Sequence, residues 1–244
     1  MTMKRRSFLK LVGLGAAGAS GVPIADALVQ ASRTERDPGA AAGKRWAMVI
    51  DQRKCLTRDG CDVCIKACNK GHNVPAMPDQ RHAMKWVWKE RHADVFPQLV
   101  TPYTPAAVKE RPTVVMCNHC DNPPCVYNCP TGASYKADNG MVLLKHYRCV
   151  GCKSCVAACP YDARYINEEK GFADKCTFCD HRVKEGKEPA CVATCLGKSR
   201  VFGDLDDPKS PASIALRENH AEVLLKSAGT KPRVYYVKKF SKPE

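Results

Sequence analysis

Sixteen cysteines, gathered in four groups of four, constrain this 244-residue chain more than any other feature. The groups are Cys55, Cys61, Cys64 and Cys68; Cys117, Cys120, Cys125 and Cys129; Cys149, Cys152, Cys155 and Cys159; and Cys176, Cys179, Cys191 and Cys195. The third quartet runs C-x2-C-x2-C-x3-C with Pro160 directly after it, and Pro130 follows the second quartet in the same way. That spacing suits a [4Fe–4S] cubane: a tight loop offers three thiolates to three iron corners, while the fourth cysteine points away. A proline after the fourth cysteine fits the first turn of a helix, where its missing N–H is not needed. Short helices are therefore expected to begin at the fourth cysteine of each quartet. Asn69 and Leu196 stand where the other two quartets have proline.

Two other chemistries compete. Structural zinc uses paired C-x2-C motifs, and the fourth quartet alone would suit a zinc ribbon. Disulfides are the default for an exported chain with an even cysteine count, but cysteines two or three residues apart bridge poorly. The agreement of four quartets, with the third lacking any departure, favours iron–sulfur clusters. The first quartet is the irregular one: Leu56-Thr57-Arg58-Asp59-Gly60 separates Cys55 from Cys61, and Asp59-Gly60 is a turn signal. It is the expected place for a non-standard cluster. The long gap between Cys179 and Cys191 reads as a loop over a cluster surface.

The N-terminus has a different character. Arg5-Arg6-Ser7-Phe8-Leu9-Lys10 precedes a weakly apolar Gly/Ala stretch, and Ala25-Asp26-Ala27 fits a cleavage site. This is the layout of a twin-arginine (Tat) export signal over 1–27. That route is understood to carry folded proteins, so clusters can be built in the cytoplasm before export. Residues 28–45 read as a linker. A mean hydropathy of −0.37 excludes a polytopic membrane protein, and no apolar run reaches the length of a secure span.

The formal charge of +14 would suit nucleic acid, but the basic residues are dispersed and no recognition-helix motif is visible. No nucleic-acid partner is expected. Removing 1–27 takes away Lys4, Arg5, Arg6, Lys10 and Asp26, which lowers the charge to +11. Four oxidised clusters with their thiolates add about −8, so the loaded protein carries about +3.

Strand-like runs surround the quartets at Trp46–Asp51, Thr113–Met116, Met141–Leu144 and Val234–Val237. A longer helix is expected from Pro211 to Ala228, capped by Ser210 and stopped by Gly229. The fold class expected is α+β: two ferredoxin-like two-cluster units with short strands, short helices and long loops. His72, His119, His146 and His181 are read as neighbours of the clusters rather than ligands, since cysteines already fill sixteen corners. Trp46, Trp86 and Trp88 are read as packing residues. No Ser/His/Asp set, phosphate loop or carboxylate pair marks a catalytic centre.

Several runs carry a family resemblance. They are Cys117-Asn118-His119-Cys120-Asp121-Asn122-Pro123-Pro124-Cys125, Cys176-Thr177-Phe178-Cys179-Asp180-His181-Arg182, Phe202-Gly203-Asp204-Leu205 and Gly229-Thr230-Lys231-Pro232-Arg233-Val234-Tyr235-Tyr236. With them, nearly everything after Trp46 resembles the four-cluster ferredoxin-like electron-transfer subunits of membrane-bound respiratory oxidoreductases. Trp46–Asp51 and Cys68-Asn69-Lys70-Gly71-His72-Asn73-Val74-Pro75 resemble the DsrO (HmeA) type. That is the exported subunit of the sulfate-reducer DsrMKJOP membrane complex. Nitrite- and polysulfide-reductase relatives share most of these runs.

The resemblance implies four [4Fe–4S] clusters with crossed ligation. Cys55, Cys61 and Cys64 would share a cluster with Cys195, and Cys176, Cys179 and Cys191 one with Cys68. Cys117, Cys120 and Cys125 would join Cys159, while Cys149, Cys152 and Cys155 would join Cys129. An inner unit (111–164) would sit within an outer unit (46–110 plus 165–244). The resemblance also implies a non-catalytic subunit at the outer face of the cytoplasmic membrane. It would be docked on an integral-membrane, quinone-interacting (menaquinone) subunit, with a multihaem cytochrome c as a further neighbour in a hetero-oligomeric complex of anaerobic sulfur respiration. The rival reading is a subunit whose irregular first quartet holds a catalytic cluster. Nitrite, polysulfide, thiosulfate or molybdopterin oxidoreductases are the alternative assemblies.

Overall fold

The computed structural model describes residues 43–77, 79 and 83–238; the expected signal and most of the expected linker lie outside the described residues. The strands are β1 (Trp46–Asp51), β2 (Val87–Arg91), β3 (Pro112–Met116), β4 (Ser134–Lys136), β5 (Val142–Leu144), β6 (Tyr165–Asn167), β7 (Phe172–Asp174), β8 (Arg200–Asp204), β9 (Ala221–Glu222) and β10 (Val234–Val237). They form one four-stranded sheet of order β8-β1-β10-β9 and three two-stranded ladders, β2-β3, β4-β5 and β6-β7.

The near-continuous apolar run of β1 suits a strand covered on both faces. It pairs parallel to β10, with Met48 opposite Val234, and antiparallel to β8, with Trp46 opposite Asp204. Side chains alternate across the sheet. Met48 and Ile50 join the main core, which also holds Cys64, Cys68, Cys117, Cys176 and Cys191. Val49 faces the other way and packs with Ala212 and Val237. These five cysteines are thus part of the apolar core, whereas Cys152 is exposed.

The helices are α1 (Val63–His72), α2 (His92–Val95), α3 (Ala106–Lys109), α4 (Pro124–Tyr127), α5 (Ser154–Ala157), α6 (Asp180–Lys184), α7 (Ala190–Ala193) and α8 (Pro211–Glu218). Helix starts differ from the sequence expectation. Cys64, Cys125, Cys155 and Cys191, the third cysteine of each quartet, are the second residues of α1, α4, α5 and α7. The fourth cysteines Cys129, Cys159 and Cys195 follow the ends of their short helices, and only Cys68 lies inside one. The prolines after Cys129 and Cys159 therefore follow a helix and cannot continue it.

Helix α8 is also shorter than expected. Its cap is as read, with Ser210 Oγ accepting from the Ser213 N–H at 3.3 Å. It ends at Glu218 because Ala221 and Glu222 leave to pair with β10, a ladder that local helix propensity does not anticipate. The 3-10 turn Lys226–Ala228 and Gly229 then close the segment. The β2-β3 ladder spans the expected boundary between residues 110 and 111.

One glycine is fixed by a close approach. Gly140 has φ +74°, and a Cβ there would overlap the Arg233 guanidinium. Arg233 passes this point to donate to Asp121 Oδ1, which Lys136 Nζ also reaches at 3.0 Å. This charge cluster ties the β4 ladder to the approach of β10.

Candidate metal centres

Two cavities, lined by cysteines from different quartets, lie side by side. One is walled by Cys117, Cys120, Cys125 and Cys159, with Asn118, Pro160 and Arg164. The other is walled by Cys129, Cys149, Cys152 and Cys155. Helices α4 and α5 pack on each other and bring Cys125 and Cys155 to the shared side.

The thiol electrostatics agree with this grouping. Burial pushes Cys120 up to about 12, and the Cys117 sulfur raises it further. Burial pushes Cys159 up to about 11, again with Cys117 as its chief sulfur neighbour. Ionising such groups together requires a cation among them.

The outer cysteines pair across the whole chain. Helices α1 and α7 pack together, carrying Cys64 and Cys68 on one side and Cys191 on the other. Burial raises the Cys68 thiol above its usual range, and the Cys191 and Cys179 sulfurs raise it further. Burial likewise raises Cys176, with Cys68 and then Cys117 as its neighbouring sulfurs. Cys176 therefore links the group Cys68, Cys176, Cys179 and Cys191 to the inner cavity that Cys117 lines.

Cys64 also neighbours Cys191, and Cys55, Cys61 and Cys195 complete the sixteen. The long gap of the first quartet is a 3-10 turn, Leu56–Asp59, ended by Gly60 in the left-handed region (φ 81°). The turn shortens the path, so Cys61 returns beside the start of α1. The loop after Cys195 presses on it: a Cβ on Gly197 would overlap the Lys54 carbonyl oxygen and stand 3.4 Å from the Leu56 side chain. The Cys61 N–H donates to the Leu56 carbonyl at 3.2 Å, which ties it to the turn.

Main-chain N–H groups point at many of these sulfurs. Ser134 donates to Cys129 at 3.3 Å, Ala173 to Cys149 at 3.3 Å, Phe178 to Cys176 at 3.4 Å, Ala190 to Cys179 at 3.4 Å and Ser199 to Cys195 at 3.3 Å. At Cys195, burial opposes ionisation, but the Ser199 hydroxyl and N–H outweigh it and hold the thiol below its usual range. Donors of this kind stabilise thiolates and tune bound clusters.

Cationic and polar groups complete the walls. Arg164 is 2% exposed; its Nη2 donates to Ser134 Oγ at 2.7 Å, while Nε and Nη1 have no hydrogen-bond partner. Arg200 is 5% exposed; Nη1 lies 3.4 Å from Met116 Sδ and 3.8 Å from Cys191 Sγ, and Nη2 is unpartnered. Both amide atoms of buried Asn118 are unpartnered as well. Buried donors without acceptors are costly, and an anionic, sulfide-bearing group in the cavities would supply acceptors. Among the described residues no three His, Cys, Asp or Glu side chains converge on a single-ion point. The donor set fits iron–sulfur clusters.

The histidines act beside the sulfurs. His119 is fully buried; its Nδ1 accepts the Val142 N–H at 3.0 Å and its Nε2 faces the Cys176 carbonyl at 3.1 Å. Both ring nitrogens are committed, which leaves none for a metal. His72 Nε2 lies 3.2 Å from Cys179 Sγ, and its ring packs on Trp86. His181 meets His72 edge-on, and His146 stacks on Phe172. Trp46 stacks on Phe202 and Trp88 meets Tyr165 edge-on. Sequence reasoning missed Arg164, Arg200, Asn118 and the buried Lys175, whose Nζ donates to the Cys176 carbonyl at 2.7 Å. One signal was available: each arginine stands five residues after the last cysteine of its quartet.

Comparison with known proteins agrees with this chemistry. Residues 111–205 match the family model of the 4Fe-4S dicluster domain. The chain is 38% identical over 239 residues to a tetrathionate reductase subunit of Salmonella typhimurium, covering 97% of this chain and 89% of that protein. It is 36% identical over 273 residues to the Hdr-like menaquinol oxidoreductase iron-sulfur subunit 1 of Archaeoglobus fulgidus (97% and 98% covered). It is 37% identical over 241 residues to protein NrfC of Escherichia coli (97% and 96% covered).

Proposed function

The chain belongs to the family of iron–sulfur electron-transfer subunits of respiratory oxidoreductases, and from that premise we propose that it holds four [4Fe–4S] clusters and relays electrons in a membrane-attached complex of sulfur-compound respiration. The observation that carries this reading is the crossed lining of the two inner cavities: three cysteines of one quartet together with the last cysteine of the other. On that pattern Cys117, Cys120, Cys125 and Cys159 hold one cluster, and Cys149, Cys152, Cys155 and Cys129 the next. Cys176, Cys179, Cys191 and Cys68 hold a third, and Cys55, Cys61, Cys64 and Cys195 the fourth. When bound, the clusters supply one-electron carriers and leave no iron corner open for substrate.

The chain's own groups set the conditions for this chemistry. Apolar neighbours such as Val126, Val142 and Ala173 exclude water from the inner sites. Main-chain N–H groups donate to the thiolates, and Arg164 and Arg200 balance their charge. The site beside Cys152 is the most open, since that cysteine is exposed and Val150 (68%) and Tyr147 (79%) flank it at the surface. Leu196, next to Cys195, is 67% exposed as well. Electrons need an accessible site at each end of a relay.

The partner we propose is an integral-membrane, quinone-interacting subunit, with the chain exported by the Tat route and held at the outer face of the membrane. Among the described residues no helix is long and apolar enough to cross a membrane. The relatives named for tetrathionate reductase and menaquinol oxidoreductase support a sulfur-compound and quinone setting. The finer reading is the DsrO-type subunit of a DsrMKJOP complex, with a multihaem cytochrome c nearby. Purification of the native complex from membranes, with identification of its subunits, tests it. A multihaem cytochrome and a quinone-site membrane protein are expected. A molybdopterin catalytic subunit in their place would move the assignment to a tetrathionate-type reductase.

A further inference from the structure

The third and fourth quartets end in parallel ways. Cys159-Pro160-Tyr161-Asp162-Ala163-Arg164 and Cys195-Leu196-Gly197-Lys198-Ser199-Arg200 each place an arginine five residues past the last cysteine. Both arginines are buried, and neither has a carboxylate partner among the described residues. An isolated buried cation is expensive, and a chain retains one where an anion offsets it.

The surroundings of each arginine identify that anion. Arg164 lines the cavity walled by Cys117, Cys120, Cys125 and Cys159, and its Nη2 donates to the hydroxyl of Ser134 at 2.7 Å. Ser134 lines the other inner cavity, and its N–H donates to Cys129 Sγ at 3.3 Å. Arg200 Nη1 lies 3.8 Å from Cys191 Sγ, and the preceding residue, Ser199, donates its N–H to Cys195 Sγ at 3.3 Å. Cys191 belongs to one outer set, whereas Cys195 belongs to the other. Each guanidinium therefore stands between two cysteine sets, and its unpartnered N–H groups are free to face bound sulfide or thiolate.

We propose that Arg164 and Arg200 are shared positioning residues, each a fixed cation between two neighbouring cluster sites that raises the reduction potential of both. This rests on the four-cluster reading above. Reduction adds one electron to a site and makes it more negative by one charge, with no bond or proton exchanged. A nearby fixed positive charge favours that step, and in a low-dielectric interior the effect reaches both neighbours. The paired placement divides four sites into two couples, one per arginine.

The test is a redox titration of the loaded, full-length protein, followed by EPR, with iron content measured on the same samples. The variants are Arg164→Gln, Arg200→Gln and the charge-keeping Arg164→Lys and Arg200→Lys. In Arg164→Gln, two of the four potentials should fall by about 59 mV or more, a tenfold change in each one-electron reduction equilibrium. In Arg200→Gln the other two should fall, and the lysine variants should restore most of each shift. No shift, a shift at one site only, or the same site moving in both variants would overturn the proposal. If a Gln variant loses iron, recovery of iron and of both potentials in the Lys variant supports the shared charge. Loss of iron in both variants overturns it in favour of guanidinium shape. A wild-type protein without four reducible clusters would instead overturn the reading beneath it.

Discussion

Cys159, the last cysteine of the third quartet, lines the same cavity as Cys117, the first of the second. The chain therefore interleaves its two inner quartets instead of closing each on itself. Cys159→Ala should damage the cluster site walled by Cys117, Cys120 and Cys125 and leave the one walled by Cys149, Cys152 and Cys155 intact. EPR of the reduced variant should show one signal altered, the same one that Cys120→Ala alters. If Cys159→Ala and Cys152→Ala alter the same signal, each quartet binds its own cluster.

Gly140 gives a prediction about the scaffold. A Cβ at this position would meet Arg233, whose guanidinium is held by Asp121, and φ is +74°. Gly140→Ala therefore combines backbone strain with displacement of a partly buried charge pair, a loss of roughly 1–3 kcal/mol. Thermal bleaching of the visible cluster absorbance should occur at a lower temperature in this variant. An unchanged midpoint would show that Arg233 has room to move.

Stability should depend on pH through His92. Burial lowers the pKa of this imidazole below 6.5, and Lys238 and Arg111 lower it further. Below 6.5 the unfolded chain binds a proton that the folded chain refuses, so stability falls as pH drops from 6.5 toward the folded pKa. Above 6.5 the group is neutral in both states and contributes no slope. His92→Gln should reduce the slope of this part of the profile of thermal midpoint against pH, and the buried His72 and His119, whose pKa values burial also lowers, should keep the rest. A parallel profile in variant and wild type would exclude His92 as its source.

Export gives a fourth prediction. Replacing Arg5 and Arg6 together with lysine should keep the loaded protein in the cytoplasm, because the twin arginine addresses the folded-protein route. Fractionation followed by immunoblotting reads this directly. Normal export of the double variant would contradict the assignment.

Much of the site was legible because its ligand spacing is local. A cubane imposes its geometry on a few adjacent residues, so the run from Cys149 to Pro160 announces its chemistry without tertiary information. Strands β1 and β10 were equally readable, since their apolar runs are long enough to stand out. The three-residue strands β4, β6 and β7 were not, because each exists only through its partner, whereas β5 had shown in the run Met141–Leu144. The end of α8 was misjudged for the same reason, with β9 drawn off to pair with β10. Arg164 and Arg200 were hidden among 39 lysines and arginines, and burial, which distinguishes them, is set by tertiary packing.

The most direct test of the central claim is iron and acid-labile sulfide per chain in anaerobically purified, full-length protein. Sixteen cysteines serving four cubanes predict about sixteen irons and about sixteen sulfides in a brown protein. About twelve irons would remove the site that includes the irregular first quartet, and a colourless protein containing zinc would contradict the account altogether.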